Sequence, residues 1–156
     1  MLNKVDFPLT TSQISEFVLD KGYTSYFKLQ EALSDLTQSD LIRPETTHNR
    51  TLYHLTEDGA ETILYFSNKI SPAIRKDIDD FLREKQYDLK EEASVKSDYY
   101  LNTNREYEVR CQIEENGSSL IDLKLTVPTE KEAEAIVSHW NTKSQEIYTL
   151  LLTNLL

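Results

Sequence analysis

The chain has 156 residues, of which 38% are hydrophobic and 28% charged, and its net charge is -10. This is an ordinary composition for a soluble globular protein with room for one sizeable core or two small ones. A single cysteine, Cys111, excludes an intramolecular disulfide. No apolar stretch approaches the roughly 20 residues that cross a bilayer.

The N-terminus lacks the apolar core of a signal peptide, so we expect a cytoplasmic protein with no membrane partner. The negative charge is spread evenly, because residues 1–67 contain five Lys and Arg against ten Asp and Glu. Proteins that bind nucleic acid usually have a basic patch. A nucleic-acid surface on this chain would therefore depend on a few cations that folding brings together.

The first third of the chain has the pattern of a helix-turn-helix. Thr10 and Gln13 have the spacing of a capping box, which satisfies the first free amides of a helix. That helix is predicted to run to Gly22. A second helix, capped by Thr24 or Ser25, is predicted from Thr24 to Asp40. Its apolar residues recur at helical spacing and are Leu29, Leu33 and Leu36.

A polar hairpin and a third helix follow. Short strands are predicted at Leu41–Arg43 and Thr51–Leu55, with a polar turn from Pro44 to Asn49. Thr56 can cap the next helix through its hydroxyl. The apolar side of that helix is predicted to be Ile63, Leu64 and Phe66. A helix-turn-helix, a polar hairpin and a capped helix in this order predict a winged helix over residues 1–67.

The residues Tyr53-x-Leu55-Thr56-x-x-Gly59-x-x-x-Ile63 resemble the wing-to-helix signature of bacterial winged-helix regulators of the PadR and MarR types. This resemblance covers about residues 8–66 and implies a transcriptional regulator that binds double-stranded DNA. A winged helix normally begins with a longer helix than the residues before Phe7-Pro8 allow. Either the start is truncated or another element takes that place. The whole chain also resembles a bacterial PadR-like winged-helix family, through Phe7-Pro8-Leu9-Thr10, Gln13-Ile14, Gly22-Tyr23 and Tyr26.

Residues 68–94 are predicted to form a linking helix and linker. Ser71-Pro72 opens the helix, its apolar stripe ends near Tyr87, and the charged stretch from Lys90 to Ser94 marks a boundary. Residues 95–156 then change to an alternating pattern. Three strands are predicted, and the first is Val95–Leu101. The second has the apolar face Tyr107, Val109, Cys111 and Ile113, and the third has the apolar face Ile121, Leu123, Leu125 and Val127. The turn Asn116-Gly117 is predicted to join the second strand to the third.

A long helix from Glu130 to Asn154 is predicted to cover this sheet, with a capping box at Thr129 and Glu132. It would be about 37 Å long, more than a three-stranded sheet of this size can cover. Its last leucines must therefore pack on the first domain or on a second subunit, and we expect a homodimer. The predicted fold is α+β, with a winged helix-turn-helix, a linking helix and an antiparallel sheet under a long helix.

The predicted DNA contacts lie on the second helix and on the hairpin. Ser and Gln side chains can bond to base edges, and Lys and Arg can pair with phosphates. The predicted contact residues are Ser25, Lys28, Gln30, Ser34, Gln38, Arg43, His48, Asn49 and Arg50. The plain alternative is a solvated helix face and an ordinary polar hairpin tip. Lys28 is the lone basic residue of that helix, against Glu31, Asp35 and Asp40.

Two functions therefore stay open. The first is a DNA-binding transcriptional regulator of winged-helix type that acts as a homodimer. The second is a winged-helix protein-interaction module that does not bind nucleic acid and whose acidic helix face meets a basic partner. Charge favours the interaction module, whereas the family resemblance favours the regulator.

The sequence carries no pattern for catalysis or for a bound cofactor or metal. Three glycines are too few for a phosphate loop, and no Gly-x-Ser-x-Gly motif is present. The histidines lack ligand spacing, and Cys111 is predicted to be a core residue. We expect no enzyme activity. Aromatic residues of the second domain could line a site for an unknown small-molecule effector, or simply form core, and these are Tyr99, Tyr100, Tyr107 and Trp140.

Overall fold

The computed structural model describes residues 1–48, 50–115 and 118–156. Within these ranges the chain forms five α-helices and two three-stranded antiparallel sheets, so the fold is mixed α+β. The chain divides into two compact units. The first unit consists of Met1–Thr46 and Arg50–Ala93, and the second consists of Thr47–Asn49 and Ser94–Leu156. The elements are β1 (Leu9–Thr10), α1 (Thr11–Asp20), α2 (Tyr26–Gln38), β2 (Ile42–Thr46), β3 (Thr51–Leu55), α3 (Glu57–Phe66), α4 (Pro72–Ser94), β4 (Val95–Leu101), β5 (Tyr107–Glu115), β6 (Ser118–Val127) and α5 (Glu130–Leu155). One-turn 3₁₀ helices lie at Leu2–Lys4 and Ser67–Lys69.

The sheet of the first unit has the strand order β1-β3-β2, and all its pairs are antiparallel. β2 runs from Ile42 through Pro44 to Thr46, so the predicted turn from Pro44 is wrong by three residues. β2 is an edge strand, and an edge strand accommodates a proline because one side of its backbone has no partner strand. The predicted turn residue Asn49 lies outside the described residues.

The predicted capping box at the start of α1 is confirmed. The hydroxyl of Thr10 accepts from the amide of Gln13 at 3.1 Å, and the Gln13 side chain accepts from the amide of Thr10 at 2.8 Å. Ser25 occupies the N-cap of α2, but its side chain makes no capping hydrogen bond. α2 ends where Asp40 adopts a left-handed φ of 55° and the amide of Leu41 returns to the carbonyl of Leu36 at 2.9 Å.

The third and fourth helices are capped as the sequence predicts, but their apolar faces differ from the prediction. The hydroxyl of Thr56 accepts from the amide of Gly59 at 3.0 Å, and that of Ser71 from Ile74 at 3.2 Å. On α3, Leu64 and Phe66 are exposed, so they do not form the expected buried side.

The apolar stripe of the fourth helix does not end near Tyr87 as predicted, because α4 continues to Ser94 with Leu89 and Ala93 buried. Its buried residues Leu82, Leu89 and Ala93 lie at helical spacing and carry the apolar stripe past the charged residues. Burial of this stripe holds the last turns in helix although their sequence is strongly polar.

The second unit is a sheet in the order β4-β5-β6 with α5 packed on one face. The predicted alternation on β5 is confirmed, since Val109, Cys111 and Ile113 are buried. The opposite face of the sheet is polar and carries ion pairs such as Arg110 to Asp122 at 2.5 Å. The predicted turn at 116–117 lies outside the described residues. One face of this sheet therefore forms core and the other carries exposed charge.

α5 begins with the predicted capping box, in which Thr129 accepts from the amide of Glu132 at 3.3 Å. Its buried residues recur at helical spacing and are Ala133, Val137, Trp140 and Ser144. Beyond Tyr148 only Leu151 is half-buried, and Leu155 is 78% exposed. The last two turns thus present leucines that the sheet of the same chain does not cover.

Candidate nucleic-acid interface

The outer side of α2 is exposed over its whole length. Four of the predicted contact residues of this helix region are exposed, and they are Ser25, Lys28, Ser34 and Gln38. The opposite side carries the buried Leu29 and Leu33, so core packing fixes which side faces outward. The amide of Gln38 donates to the hydroxyl of Ser34 at 3.2 Å. This pair places a donor and an acceptor together on the last turns of the helix.

Gln30 lies on the flank of α2 and is half-buried. Its amide nitrogen is enclosed, and no hydrogen-bond partner for it exists among the residues that the structure describes. A group enclosed in this way is not presented to a groove. Gln30 is therefore separated from the exposed contact residues of the same helix.

Exposed cations on this side are few. Lys28 is exposed on α2, where Glu31 and Asp35 are exposed as well. Arg43 is exposed on the edge strand β2, opposite His54 of β3. The exposed charge of α2 is therefore negative on balance, and Lys28 is its one exposed cation.

An aromatic residue that the sequence analysis did not single out stands on the same helix. Phe27 is 83% exposed, and its ring meets that of Tyr26 edge-on at a centroid distance of 6.0 Å. The sequence position of Phe27 could have indicated its exposure, because it is two residues before Leu29 and lies off the apolar stripe that Leu29 and Leu33 form. The outer side of α2 thus combines small polar groups, one lysine, two carboxylates and an aromatic ring.

Arg50 does not project from a hairpin tip. Its guanidinium donates to the carbonyl of Glu92 at 2.7 Å, in the last turn of α4. The last four carbonyls of a helix lack partners within the helix, and a cation there also favours the helix dipole. Burial lowers the pKa of Arg50, and the nearby carboxylates of Glu92 and Glu45 act in the opposite direction.

The side chain of Glu92, an exposed residue, also joins this contact. Its carboxylate accepts from the amide nitrogen of Gln13 at 2.7 Å, and Gln13 is almost fully buried. Gln13 also forms the capping box with Thr10, so the end of α4 is tied to the start of α1. Arg50 and Gln13 thus hold one helix end in place inside the first unit.

His48 groups with the second unit. Its ring stacks on Tyr99 with a centroid distance of 4.1 Å, and its Nδ1 contacts the carboxylate of Asp98. One face of the ring and its Nδ1 edge are therefore engaged within the protein. Three of the predicted hairpin contacts lie within the described residues, and they are Arg43, His48 and Arg50. Of these, only Arg43 is exposed and has no hydrogen bond or ring contact of this kind.

No group of three or more His, Cys, Asp or Glu within residues 1–48, 50–115 and 118–156 is arranged to hold a metal ion. Burial raises the pKa of the Cys111 thiol to about 11, so the thiol stays protonated near neutral pH. Within the same residues, none of the helices has the length and hydropathy of a membrane span.

The fold and the exposed helix side define a small two-unit α+β protein with a polar and aromatic surface on α2. The profile of the family described as "Domain of unknown function (DUF4364)" matches residues 1–155. The chain belongs to this family. Searches of curated proteins and of solved structures found no match.

Proposed function

We propose that this protein is a winged-helix DNA-binding transcriptional regulator that acts as a homodimer. The observation that supports the proposal is the order β1-α1-α2-β2-β3-α3 with β3 as the central strand, which resembles a winged helix in which the 3₁₀ helix Leu2–Lys4 stands where a longer first helix is usual. In such domains the second helix of the helix-turn-helix enters the major groove. Here that helix is α2, and its outer side is exposed.

The proposal assigns base and phosphate contacts to Ser25, Lys28, Ser34 and Gln38. Arg43 is assigned to the phosphate backbone beside the groove. Arg50 and His48 are not assigned, because their side chains are already engaged inside the protein. The half-buried Gln30 is not assigned either.

Two assigned cations per chain set the expected salt dependence. The slope of log affinity against log salt is about -0.9 for each phosphate neutralised. A dimer that uses Lys28 and Arg43 twice neutralises four phosphates, so the slope should be about -3 to -4. Because Glu31 and Asp35 repel phosphate, measurable binding requires both copies and low salt.

The test is a mobility-shift titration of the full chain with mixed genomic fragments at several salt concentrations. Lys28→Glu should weaken binding by tenfold or more, because it removes a phosphate contact and adds a carboxylate at the same point. Lys69→Glu is the matched control, since Lys69 is an exposed lysine of the same unit outside α2. Equal losses of DNA affinity in both variants would show that the loss comes from net charge and not from the position of Lys28. A wild-type chain that shifts no DNA at low salt would refute the proposal.

The last turns of α5 are proposed to pair the two copies. Leu152 and Leu155 are exposed, and such leucines are stabilised when a second apolar surface covers them. In light scattering the wild-type chain should therefore have twice the monomer mass of 18.2 kDa. The double variant Leu152→Glu/Leu155→Glu should have the monomer mass.

The control is Ser138→Glu/Thr142→Glu, which adds the same charge at exposed polar positions of the same helix before its last turns. It should stay dimeric. A monomeric wild-type chain, or dissociation of the control as well, would remove α5 from the proposed interface.

A second function is favoured by one observation, the exposed Phe27 beside Tyr26 on a helix side that carries more acid than base. Aromatic residues are enriched in the centres of protein interfaces. A protein-interaction module with this surface would accept a basic, partly apolar partner. The mobility shift separates the two functions, because the interaction module gives no shift at any salt concentration.

A further inference from the structure

The first unit contains an apolar cavity of about 470 Å³. Its walls come from the four helices α1 to α4 and from the 3₁₀ helix Leu2–Lys4. It reaches the core residues Ile14, Leu29 and Leu33, and Leu36 and Phe66 stand at its exposed rim. The volume falls within the range of about 300 to 1,000 Å³ that is typical of small-molecule sites.

The chemistry of the wall restricts what can bind. Aliphatic and aromatic side chains make up nearly all of it, and the polar side chains are those of Asn3, Thr62 and Tyr23. The Tyr23 hydroxyl already donates to Asp77 at 2.5 Å. A charged ligand would lose its hydration here, and none of the side chains that line the wall would pair with its charge, which costs several kcal/mol. The wall therefore selects against ions and in favour of uncharged molecules.

We propose that this cavity is a binding site for a small, uncharged, predominantly apolar or aromatic molecule. The side chains on the two long walls, Leu29 and Leu33 of α2 and Ile74 and Ile78 of α4, supply dispersion contacts to such a ligand. Exposure of Leu36 and Phe66 at the rim gives it a route of entry.

The walls cannot simply close on each other. α3 already lies as near to the preceding segment as its backbone permits, because a Cβ at Gly59 would be 2.0 Å from the carbonyl oxygen of Leu41. α4 is fixed at its far end by the hydrogen bonds that Glu92 makes with Gln13 and Arg50. An occupant that fills the space therefore gains contacts that the protein does not make by itself.

The cavity also touches the helix to which DNA contact is assigned above. A ligand bound against Leu29 and Leu33 rests on the buried side of α2, and the exposed Ala32 lies at the edge of the same cavity. The binding proposal stands without DNA binding, because it depends only on the shape and chemistry of the wall.

The test uses N-phenyl-1-naphthylamine, an uncharged aromatic probe whose fluorescence rises in apolar surroundings, with the full chain. Binding should saturate at one probe per chain and should raise the midpoint of thermal unfolding. Ala32→Phe places a ring in the cavity and should weaken probe binding at least tenfold. Leu36→Trp narrows the same space from the rim and should also weaken probe binding. Circular dichroism checks that each variant folds. If one variant does not fold, the other still tests the proposal.

Two controls separate this cavity from other apolar surface. Ala135→Phe makes the same change at an exposed position of α5 and should leave the affinity unchanged. Leu152→Glu/Leu155→Glu removes the exposed leucines of α5 and should also leave it unchanged. Loss of binding in this double variant would place the probe on α5 and overturn the proposal.

Two further results would overturn it. Absence of saturable probe binding would show that the cavity does not accept an apolar molecule. A wild-type dimer that binds no probe and becomes monomeric with Ala32→Phe would show that a second copy of the chain fills the space instead.

Discussion

Replacing Trp140 by alanine should lower the free energy of unfolding by about 3–5 kcal/mol. Trp140 is 2% exposed and lies at the centre of the contact between α5 and its sheet. Its indole nitrogen also donates to the carbonyl of Gln112 at 3.3 Å. The alanine variant removes the ring from the core and leaves that carbonyl without its donor. Urea unfolding followed by far-ultraviolet circular dichroism measures the change, since the variant has no tryptophan.

Two variants calibrate this result. Trp140→Phe keeps an aromatic ring and loses the hydrogen bond, so its loss should be clearly smaller. His139→Ala changes the exposed neighbour of Trp140 on the same helix and should cost well under about 1 kcal/mol. If Trp140→Ala and His139→Ala cost the same, α5 does not cover the sheet through Trp140.

The parts of the fold that the sequence predicts well are those set by near neighbours. The capping boxes at Thr10 and Thr129 need only a partner three residues away, and both form as predicted. The alternation along β5 likewise depends on local order and on one buried face. In these places the chain offers a single low-energy arrangement, so the pattern determines the structure.

The extent of α4 depends on packing that the local sequence does not display. The segment from Lys90 to Ser94 is charged and has no clear period by itself, which predicts a boundary. Ala93 is nevertheless buried, and Glu92 bonds to Gln13, which is 79 residues away along the chain. These long-range contacts extend the helix. A prediction from neighbouring residues misses them, because Glu92 and Gln13 are far apart in the sequence.

The hairpin residues show the same limit for the candidate site. Arg50 is polar and lies between two strands, which predicts an exposed tip. The chain instead uses it to satisfy a carbonyl of Glu92 at the end of a helix 42 residues later. His48 is engaged by Asp98, 50 residues away. A free helix end and a free carboxylate accept a hydrogen bond from whichever side chain folding brings near them, and sequence spacing does not reveal that proximity.

The internal contacts of Arg50 and His48 change how the hairpin between β2 and β3 can be tested for DNA contact. Arg50→Glu would place a carboxylate against the carbonyl of Glu92, so a loss of DNA binding in that variant would report damage to the first unit. Lys28 and Arg43 avoid this ambiguity because their side chains are exposed. The informative substitutions are therefore on α2 and on the edge strand.

Replacing Gly59 by alanine should lower the free energy of unfolding by about 3 kcal/mol or more, the upper end of overpacking costs. At an exposed helix position the same change stabilises by about 1 kcal/mol, because alanine favours helix. Here the added Cβ would lie 2.0 Å from the carbonyl oxygen of Leu41 and 2.9 Å from Cδ1 of Leu55. The Leu41 carbonyl cannot easily move, since it accepts from the amide of Thr56 at 3.3 Å.

The matched control for this substitution is Gly22→Ala, because Gly22 has a φ of +67° with no atom within 4 Å of an added Cβ. Only backbone strain opposes that change, at a cost of about 1–2 kcal/mol. Urea unfolding of both variants by circular dichroism should therefore rank Gly59→Ala as the more damaging. A Gly59→Ala variant as stable as the wild type would mean that α3 does not approach Leu41 closely. The glycine in Tyr53-x-Leu55-Thr56-x-x-Gly59 would then lack the steric role that the close packing of α3 gives it.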